Sequence, residues 1–212
     1  SEKLNVFIVE SDATVARPDK LVRWLGIQPI IERYHANWVN LSKDRAVKKR
    51  ISGRYFNEIE IPKAIADADY LITMPKLKTS LLTKITCCLK NQYGCIPYRR
   101  KIRFHQALDD VIVDASLAMK PDFCIVDGIL GMGGVKGPDL GTPIRSNIIV
   151  TGRDPVSVDS VCAKILGFNP YFIGHIRKAE KAGIGHMSFK IIGEDLAETR
   201  IDFEFNHLYA WV

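Results

Sequence analysis

Lys76, Lys78, Lys90 and Asn91 offer three ammonium point charges and an amide, the groups that grip phosphate or carboxylate oxygens. Lys76 and Lys78 follow directly on the apolar run Tyr70 to Met74, which reads as a buried strand. Lys90 and Asn91 fall on the polar side of a helix predicted over Leu81 to Tyr93, whose apolar positions Leu82, Ile85, Cys88 and Leu89 share one face. Thr83 and Cys87 share the polar side, which places Cys87 as a surface thiol and Cys88 in the core. An anion pocket is the sharp reading of these lysines, and a solvated lysine face is the bland one.

A second candidate for ligand contact is a glycine cluster. Gly128, Gly131, Gly133, Gly134, Gly137 and Gly141 crowd the segment after a strand predicted over Phe123 to Val126, so backbone N–H groups there can approach a ligand closely. Gly131, Gly133, Gly134 and Gly137 are taken as ligand-binding candidates. The segment is neither a dinucleotide fingerprint nor a phosphate loop: Lys136 stands where the third glycine of G-x-G-x-x-G belongs, and no Gly-Lys-Ser/Thr follows.

Proton transfer needs a titratable partner, and three residues qualify. His105 lies between the basic cluster Arg99 to Arg103 and a helix start; Asp127 ends a strand; Asp159 lies one turn inside a helix beside Val158, Val161 and Cys162. Asp127 can equally cap the turn into Gly128. Asp154, ahead of Pro155, reads first as a helix N-cap and second as a ligand contact. No metal ligand set is assigned, and the cofactor is unknown. Cys87, Cys88, Cys95, Cys124 and Cys162 contain no Cys-x-x-Cys pair and lack ferredoxin spacing, so they read as thiols in a reducing compartment.

The elements that must position these residues alternate. Strands are predicted over 4–9, 29–34, 70–74, 123–126, 147–150 and 189–192, with an edge strand over 201–205. Helices are predicted over 18–25, 62–66, 81–93, 108–119, 155–166 and 171–182. Such alternation implies an α/β fold with an open, mostly parallel sheet, helices on both faces and ligands beyond the strand carboxyl ends. The 212 residues suit one α/β domain over 1–212, and 47% hydrophobic with 25% charged residues excludes disordered and fibrous classes. The longest stretch without Asp, Glu, Lys or Arg, Ile165 to Ile176, is too short to span a bilayer. A cytoplasmic protein without a membrane partner is therefore expected, and a net charge of +6 biases it toward anionic partners.

The order of motifs resembles a known family. Met74-Pro75-Lys76-Leu77-Lys78-Thr79, then Leu89-Lys90-Asn91 with Gly94-Cys95-Ile96-Pro97, then His105, then Val126-Asp127-Gly128 with Gly131-Met132 and Gly137-Pro138, and finally Asp154-Pro155-Val156 with Val158-Asp159, is similar to domain of unknown function 362 over about residues 68–193. The resemblance implies an α/β domain, sometimes joined to a ferredoxin-like iron–sulfur module, with no reaction assigned to the family as a whole. The family's usual opening strand with a Lys-Pro-Asn motif and the ferredoxin cysteines are absent here.

The leading expectation is an enzyme or catalytic domain that holds an anionic small molecule between Lys76, Lys78 and Lys90, the glycine-rich segment and the helix opened by Asp154. His105 and Asp127 are the acid/base candidates, and Asp159 orients a partner or a metal. One alternative is a substrate-binding domain serving an iron–sulfur redox partner. Another is a basic nucleic-acid-binding module using Lys48 to Arg54 and Arg99 to Arg103, although no helix-turn-helix or aromatic–basic motif accompanies those clusters.

Overall fold

The computed structural model describes residues 4–13, 16–98, 100–134 and 141–201. The chain opens with strand β1 (Phe7–Glu10), helices α1 (Pro18–Trp24) and α2 (Gln28–Arg33), and strand β2 (Asn37–Asn40), which pairs parallel with β1. Segment 29–34, expected as a strand, is thus a helix. Its Ile-Ile pair is too short an apolar run to fix a period, and Pro29 in the first turn supplies the preset φ of a helix start. Strands β3 (Ala46–Arg50) and β4 (Glu58–Pro62) then form an antiparallel hairpin from the basic segment, followed by the short helix α3 (Lys63–Ala66).

The main sheet has five strands: β5 (Ile72–Thr73), β6 (Lys76–Ser80), β7 (Lys84–Thr86), β8 (Phe123–Gly133) and β9 (Thr142–Gly152). Strands β5 and β6 run parallel to β8, and the offset that sets Ile72 opposite Phe123 still sets Lys76 opposite Asp127 across Pro75, after which the register shifts so that Lys78 lies opposite Met132. The lysines expected on a loop after the strand therefore lie on it. In β6 Lys76 and Lys78 are half-buried while Leu77 and Thr79 are buried, the alternation of a strand packed on one face. Strand β7 closes antiparallel on β6 and β9 antiparallel on β8.

The helix expected over 81–93 resolves into β7 and the shorter helix α4 (Cys88–Cys95), because Lys84 adopts a left-handed backbone (φ 63°) that ends any helical run there. The glycine-rich segment is strand as far as Gly133. At Gly128 a side chain would press on the Ile148 carbonyl and Leu77, so glycine lets β8 lie close to both neighbours. Asn147 (φ 55°) sits in a bulge where β9 carries one extra residue against β8. Residues 135–140, with Gly137, and the edge strand expected for 201–205 beyond Ile201 lie outside the described residues. The segment 189–192 carries no strand.

Helices α5 (Leu108–Ala118), α6 (Pro155–Ile165) and α7 (Gly174–Lys181) complete the α/β architecture. Helices α4 and α6 pack on the sheet, and α5 packs against both α4 and α7. Leu77, Ile85, Leu89, Ile112, Val126, Ile165 and Ile176 form the centre of the core, each nearly inaccessible to solvent. Fully buried Asp114 on α5 accepts the backbone N–H groups of Arg54, Tyr55 and Phe56 at 2.7, 2.8 and 2.7 Å, tying the β3–β4 loop to the helical layer. Among the described residues, no helix is long and apolar enough to cross a membrane.

Candidate functional site

The parallel register that sets Lys76 opposite Asp127 also sets their side chains together. Lys76 Nζ donates to Asp127 Oδ2 at 2.6 Å and to the Leu130 carbonyl at 3.0 Å, and the other carboxylate oxygen accepts the Ile129 N–H at 3.0 Å. The bond from Lys76 holds the Asp127 carboxyl below its usual range against the pull of burial, with the Ile129 N–H helping. Asp127 is therefore an ionised partner that orients Lys76. Both side chains remain substantially exposed, at 38% and 48%.

Lys90 is different in kind. From the first turn of α4 its Nζ donates to Ser80 Oγ at 2.8 Å and Thr83 Oγ1 at 2.9 Å, two buried hydroxyls at the β6–β7 turn. Thr83 bonds Ser80 in turn at 3.1 Å and the Ile85 carbonyl at 2.9 Å, which fixes both oxygens. Among the described residues, no carboxylate lies within ion-pair distance of Lys90 or Lys78. Burial pushes the Lys90 ammonium down to about 8; Asp109 and Cys87 resist that push, and the neighbouring charge of Lys78 adds to it. Asn91, the next residue of α4, donates to Thr73 Oγ1 on β5 at 2.8 Å, so its amide anchors the helix to the sheet.

Three aspartates serve helix N-termini in this layer. Asp159 is fully buried on α6, and its carboxylate accepts the Cys88 N–H at 2.7 Å and the Leu89 N–H at 3.1 Å, the first donors of α4. Desolvation raises its carboxyl to about 6, against the opposing charge of His175 and the two N–H bonds. Asp159 thus faces α4, with no bond to Lys76 or Asp127. Asp154 caps its own helix through Val156 and Ser157 at 2.8 and 3.0 Å, as expected, and its second oxygen takes the His186 N–H at 2.8 Å. Asp109, in the first turn of α5, stands at the start of α7: its Oδ1 lies 3.6 Å from His175 Nδ1, and a side chain on Gly174 would overlap its carboxylate. Burial works to raise Asp109, but His175 and Lys178 outweigh it and hold the carboxyl below its usual range.

The remaining candidates are scattered. His105 is exposed on a 3-10 turn (Lys101–Ala107), and no hydrogen bond joins it to the lysines among the described residues. Gly131 and Gly133 are buried in β8; Gly134 has φ 99°, and its carbonyl accepts from Thr79 Oγ1 at 3.0 Å. Cys87 is fully buried rather than a surface thiol, since β7 rather than a helical turn delivers it to the core; burial, with Cys162 beside it, raises its thiol well above the ordinary range. Cys88 meets Cys124 in the same interior. Among the described residues, no group of three or more His, Cys, Asp or Glu side chains could hold a metal ion.

Sequence reasoning missed His175, Asp109 and Ser80. His175 sits inside the longest uncharged stretch and reads as core, while Asp109 reads as an ordinary acid of a helix first turn. A separate cleft of about 390 Å³ between the β3–β4 hairpin, α3 and the end of α5 has a basic rim. Two of its lysines are engaged, Lys48 by Glu58 and Lys49 by the Ala118 carbonyl, so it offers less free charge than the Lys78–Lys90 region.

A family model described as domain of unknown function (DUF362) matches residues 1–164, beginning well before the first of the motifs and ending just after the last, Val158-Asp159. The thylakoid-associated protein sll1697 of Synechocystis sp. is 30% identical over 145 residues, covering 62% of this chain and 45% of that protein. The match therefore spans less than half of the relative's length. No solved structure matches the chain.

Proposed function

This chain belongs to the DUF362 family, and from that premise we propose that it is the anion-binding domain of an enzyme acting on a phosphate- or carboxylate-bearing small molecule. The observation that carries the reading is Lys90, half-buried and held by the Ser80 and Thr83 hydroxyls, with the charge of Lys78 acting on it and neither lysine paired with a carboxylate among the described residues. Like charges brought out of water are unfavourable, and an anion between them removes the penalty. Ser80 and Thr83 leave the Lys90 ammonium one further N–H to donate. Lys76, oriented by Asp127, lies on the same face of β6 as Lys78 by strand alternation and extends the cationic surface. Asn91 anchors α4 to β5, the Gly134 carbonyl is tied to β6 through Thr79, Asp154 caps α6, and exposed His105 is available to a substrate as acid or base.

Calorimetric titration with inorganic phosphate and with citrate tests this. Lys78→Ala and Lys90→Ala should each weaken binding of a responsive probe by about tenfold or more, the loss of one charged hydrogen bond. Circular dichroism should be unchanged. Unaltered affinity in both variants overturns the reading.

A second reading is peripheral attachment to an anionic membrane surface. Trp24, Leu25, Ile30 and Tyr34 are exposed along α1, α2 and their junctions, with Arg33 stacked over the Tyr34 ring and Arg23 beside Trp24. Aromatic side chains with flanking cations suit an interface between headgroups and water, and the Synechocystis relative is named for its thylakoid association. Co-sedimentation with phosphatidylglycerol vesicles should fall on Trp24→Ser/Tyr34→Ser substitution; equal pelleting of both forms refutes it.

A further inference from the structure

A lysine drawn out of water ordinarily pairs with a carboxylate, because a buried ammonium needs an opposite charge. Lys90 has none within ion-pair distance among the described residues; its Nζ is held by two neutral oxygens, Ser80 Oγ at 2.8 Å and Thr83 Oγ1 at 2.9 Å. Both hydroxyls are buried and fixed: Ser80 ends β6, and Thr83 donates to the Ile85 carbonyl at 2.9 Å, so its oxygen meets Lys90 with a lone pair. A carboxylate would hold the proton on Lys90, whereas hydroxyl oxygens accept from an ammonium and an amine alike. The arrangement therefore survives loss of the proton. In the ammonium, two N–H groups bond the hydroxyls and the third is free; in the amine, the two that remain make the same bonds and the lone pair takes the free corner. The hydroxyls thus aim that lone pair away from the β6–β7 turn. Burial favours the amine, bringing the group to about 8 against Asp109 and Cys87, with Lys78 assisting.

We infer that Lys90 is a nucleophilic amine that forms an imine with an anionic aldehyde or ketone. This rests on the reading of the Lys78 and Lys90 region as an anion site, and it names the substrate class: a carboxylate or phosphate for the cationic surface to attract, and a carbonyl for the Lys90 lone pair to attack. As the lone pair forms the C–N bond, the π electrons of the carbonyl move to its oxygen, which takes a proton from solvent. The nitrogen returns a proton to solvent, the hydroxyl takes up another, and water leaves as C=N forms. In sum, the amine, the carbonyl compound and one solvent proton give an iminium and water, with nothing oxidised or reduced. The iminium nitrogen keeps a single N–H, so one of the two hydroxyls retains its bond and the other is released beside the new C=N group.

The test is trapping with cyanoborohydride, which reduces the iminium to a stable secondary amine, followed by peptide mass mapping. The probes are pyruvate, glycolaldehyde phosphate and, as an uncharged control, formaldehyde. Near neutral pH an amine that titrates at about 8 is unprotonated about 300 times more often than one at the ordinary 10.5, and its lower basicity takes back part of that gain. Lys90 should therefore be labelled by pyruvate or by glycolaldehyde phosphate about tenfold or more faster than exposed Lys20 and Lys120, and the better probe tells carboxylate from phosphate. Lys90→Arg should lose the adduct and still bind inorganic phosphate, since it keeps the charge without the nucleophile. Labelling of Lys90 no faster than that of Lys20 and Lys120 with any probe overturns the nucleophile, and phosphate binding that persists leaves the anion site standing. Labelling by formaldehyde alone overturns the substrate class. Phosphate affinity untouched in both Lys78→Ala and Lys90→Ala overturns the anion site itself. Should Lys90→Arg fail to fold, the wild-type peptide map decides by itself.

Discussion

Replacing Asp159 by Asn should change the pH dependence of stability more than stability itself. In the folded chain the Asp159 carboxyl is raised to about 6 from an ordinary 3.8, chiefly because it is fully buried. A folded-state value above the unfolded one means that the associated stability is complete below about pH 4 and is lost as pH rises through 6. The whole shift corresponds to about 3 kcal/mol at 1.36 kcal/mol per unit, of which about 2 kcal/mol falls between pH 4.5 and 7.5. Asparagine mimics the neutral acid, keeping one acceptor for the Cys88 and Leu89 N–H groups and turning its amide against the other, at a cost of about 1–3 kcal/mol that does not vary with pH. Relative to wild type, Asp159→Asn should therefore gain about 2 kcal/mol between pH 4.5 and 7.5. Urea denaturation of both proteins at four pH values across that window measures the difference directly. Parallel stability curves would show that the α4 terminus holds the carboxylate as comfortably as water does, and the desolvation argument would fail.

Other substitutions separate structural carboxylates from those at the proposed site. Asp114→Ala leaves three backbone N–H groups of the β3–β4 loop without their acceptor and should cost about 2–4 kcal/mol, the loss of a buried charged acceptor softened by water reaching an exposed loop. Proteolysis should then begin near Arg54 and Tyr55, and an unchanged denaturation midpoint would contradict the clamp. Lys76→Ala breaks an ion pair whose side chains are both more than a third exposed, so it should cost less than about 1 kcal/mol and lower the melting temperature by no more than about 4 °C. A larger fall would mean that Lys76 is a structural member of the sheet rather than a surface open to ligand.

The contrast among these aspartates shows what could be read from the chain before it folds. Asp154 announces its role locally, since a carboxylate before Pro155 and an apolar helix has its partners two and three residues on. Asp159, Asp109 and Asp114 form the same kind of bond with partners far away in sequence, and nothing in their own neighbourhoods distinguishes a remote cap from a solvent-facing acid. The α/β class was legible because strand and helix periods persist over many residues, as in α5 and α6. The β6–β7 turn was not, because Leu82, Ile85 and Leu89 satisfy a helical spacing by coincidence. The choice is made by pairing with β6, which no local window contains. In hindsight Lys-Leu-Lys-Thr carries the strand alternation that places Lys76 and Lys78 on one face.

The use of aspartates at helix starts also decides where a ligand anion can bind. Helix N-termini are ordinarily ready anion sites, because their free N–H groups and dipoles attract negative charge. Here α4 is occupied by Asp159, α6 by Asp154 and α7 by Asp109, so each end already holds an internal carboxylate. A ligand carboxylate or phosphate at one of these termini would first have to displace the aspartate already held there. Lys78 and Lys90 are paired with no carboxylate among the described residues, and Lys90 donates to the hydroxyls of Ser80 and Thr83. The negative charge of the helical layer is consumed in building the fold, and the positive charge of β6 and the first turn of α4 is left for recognition. It follows that anion affinity should track the lysines and resist changes at the caps. Asp154→Asn should leave sulfate binding at pH 6 within about twofold of wild type, whereas Lys90→Ala should not.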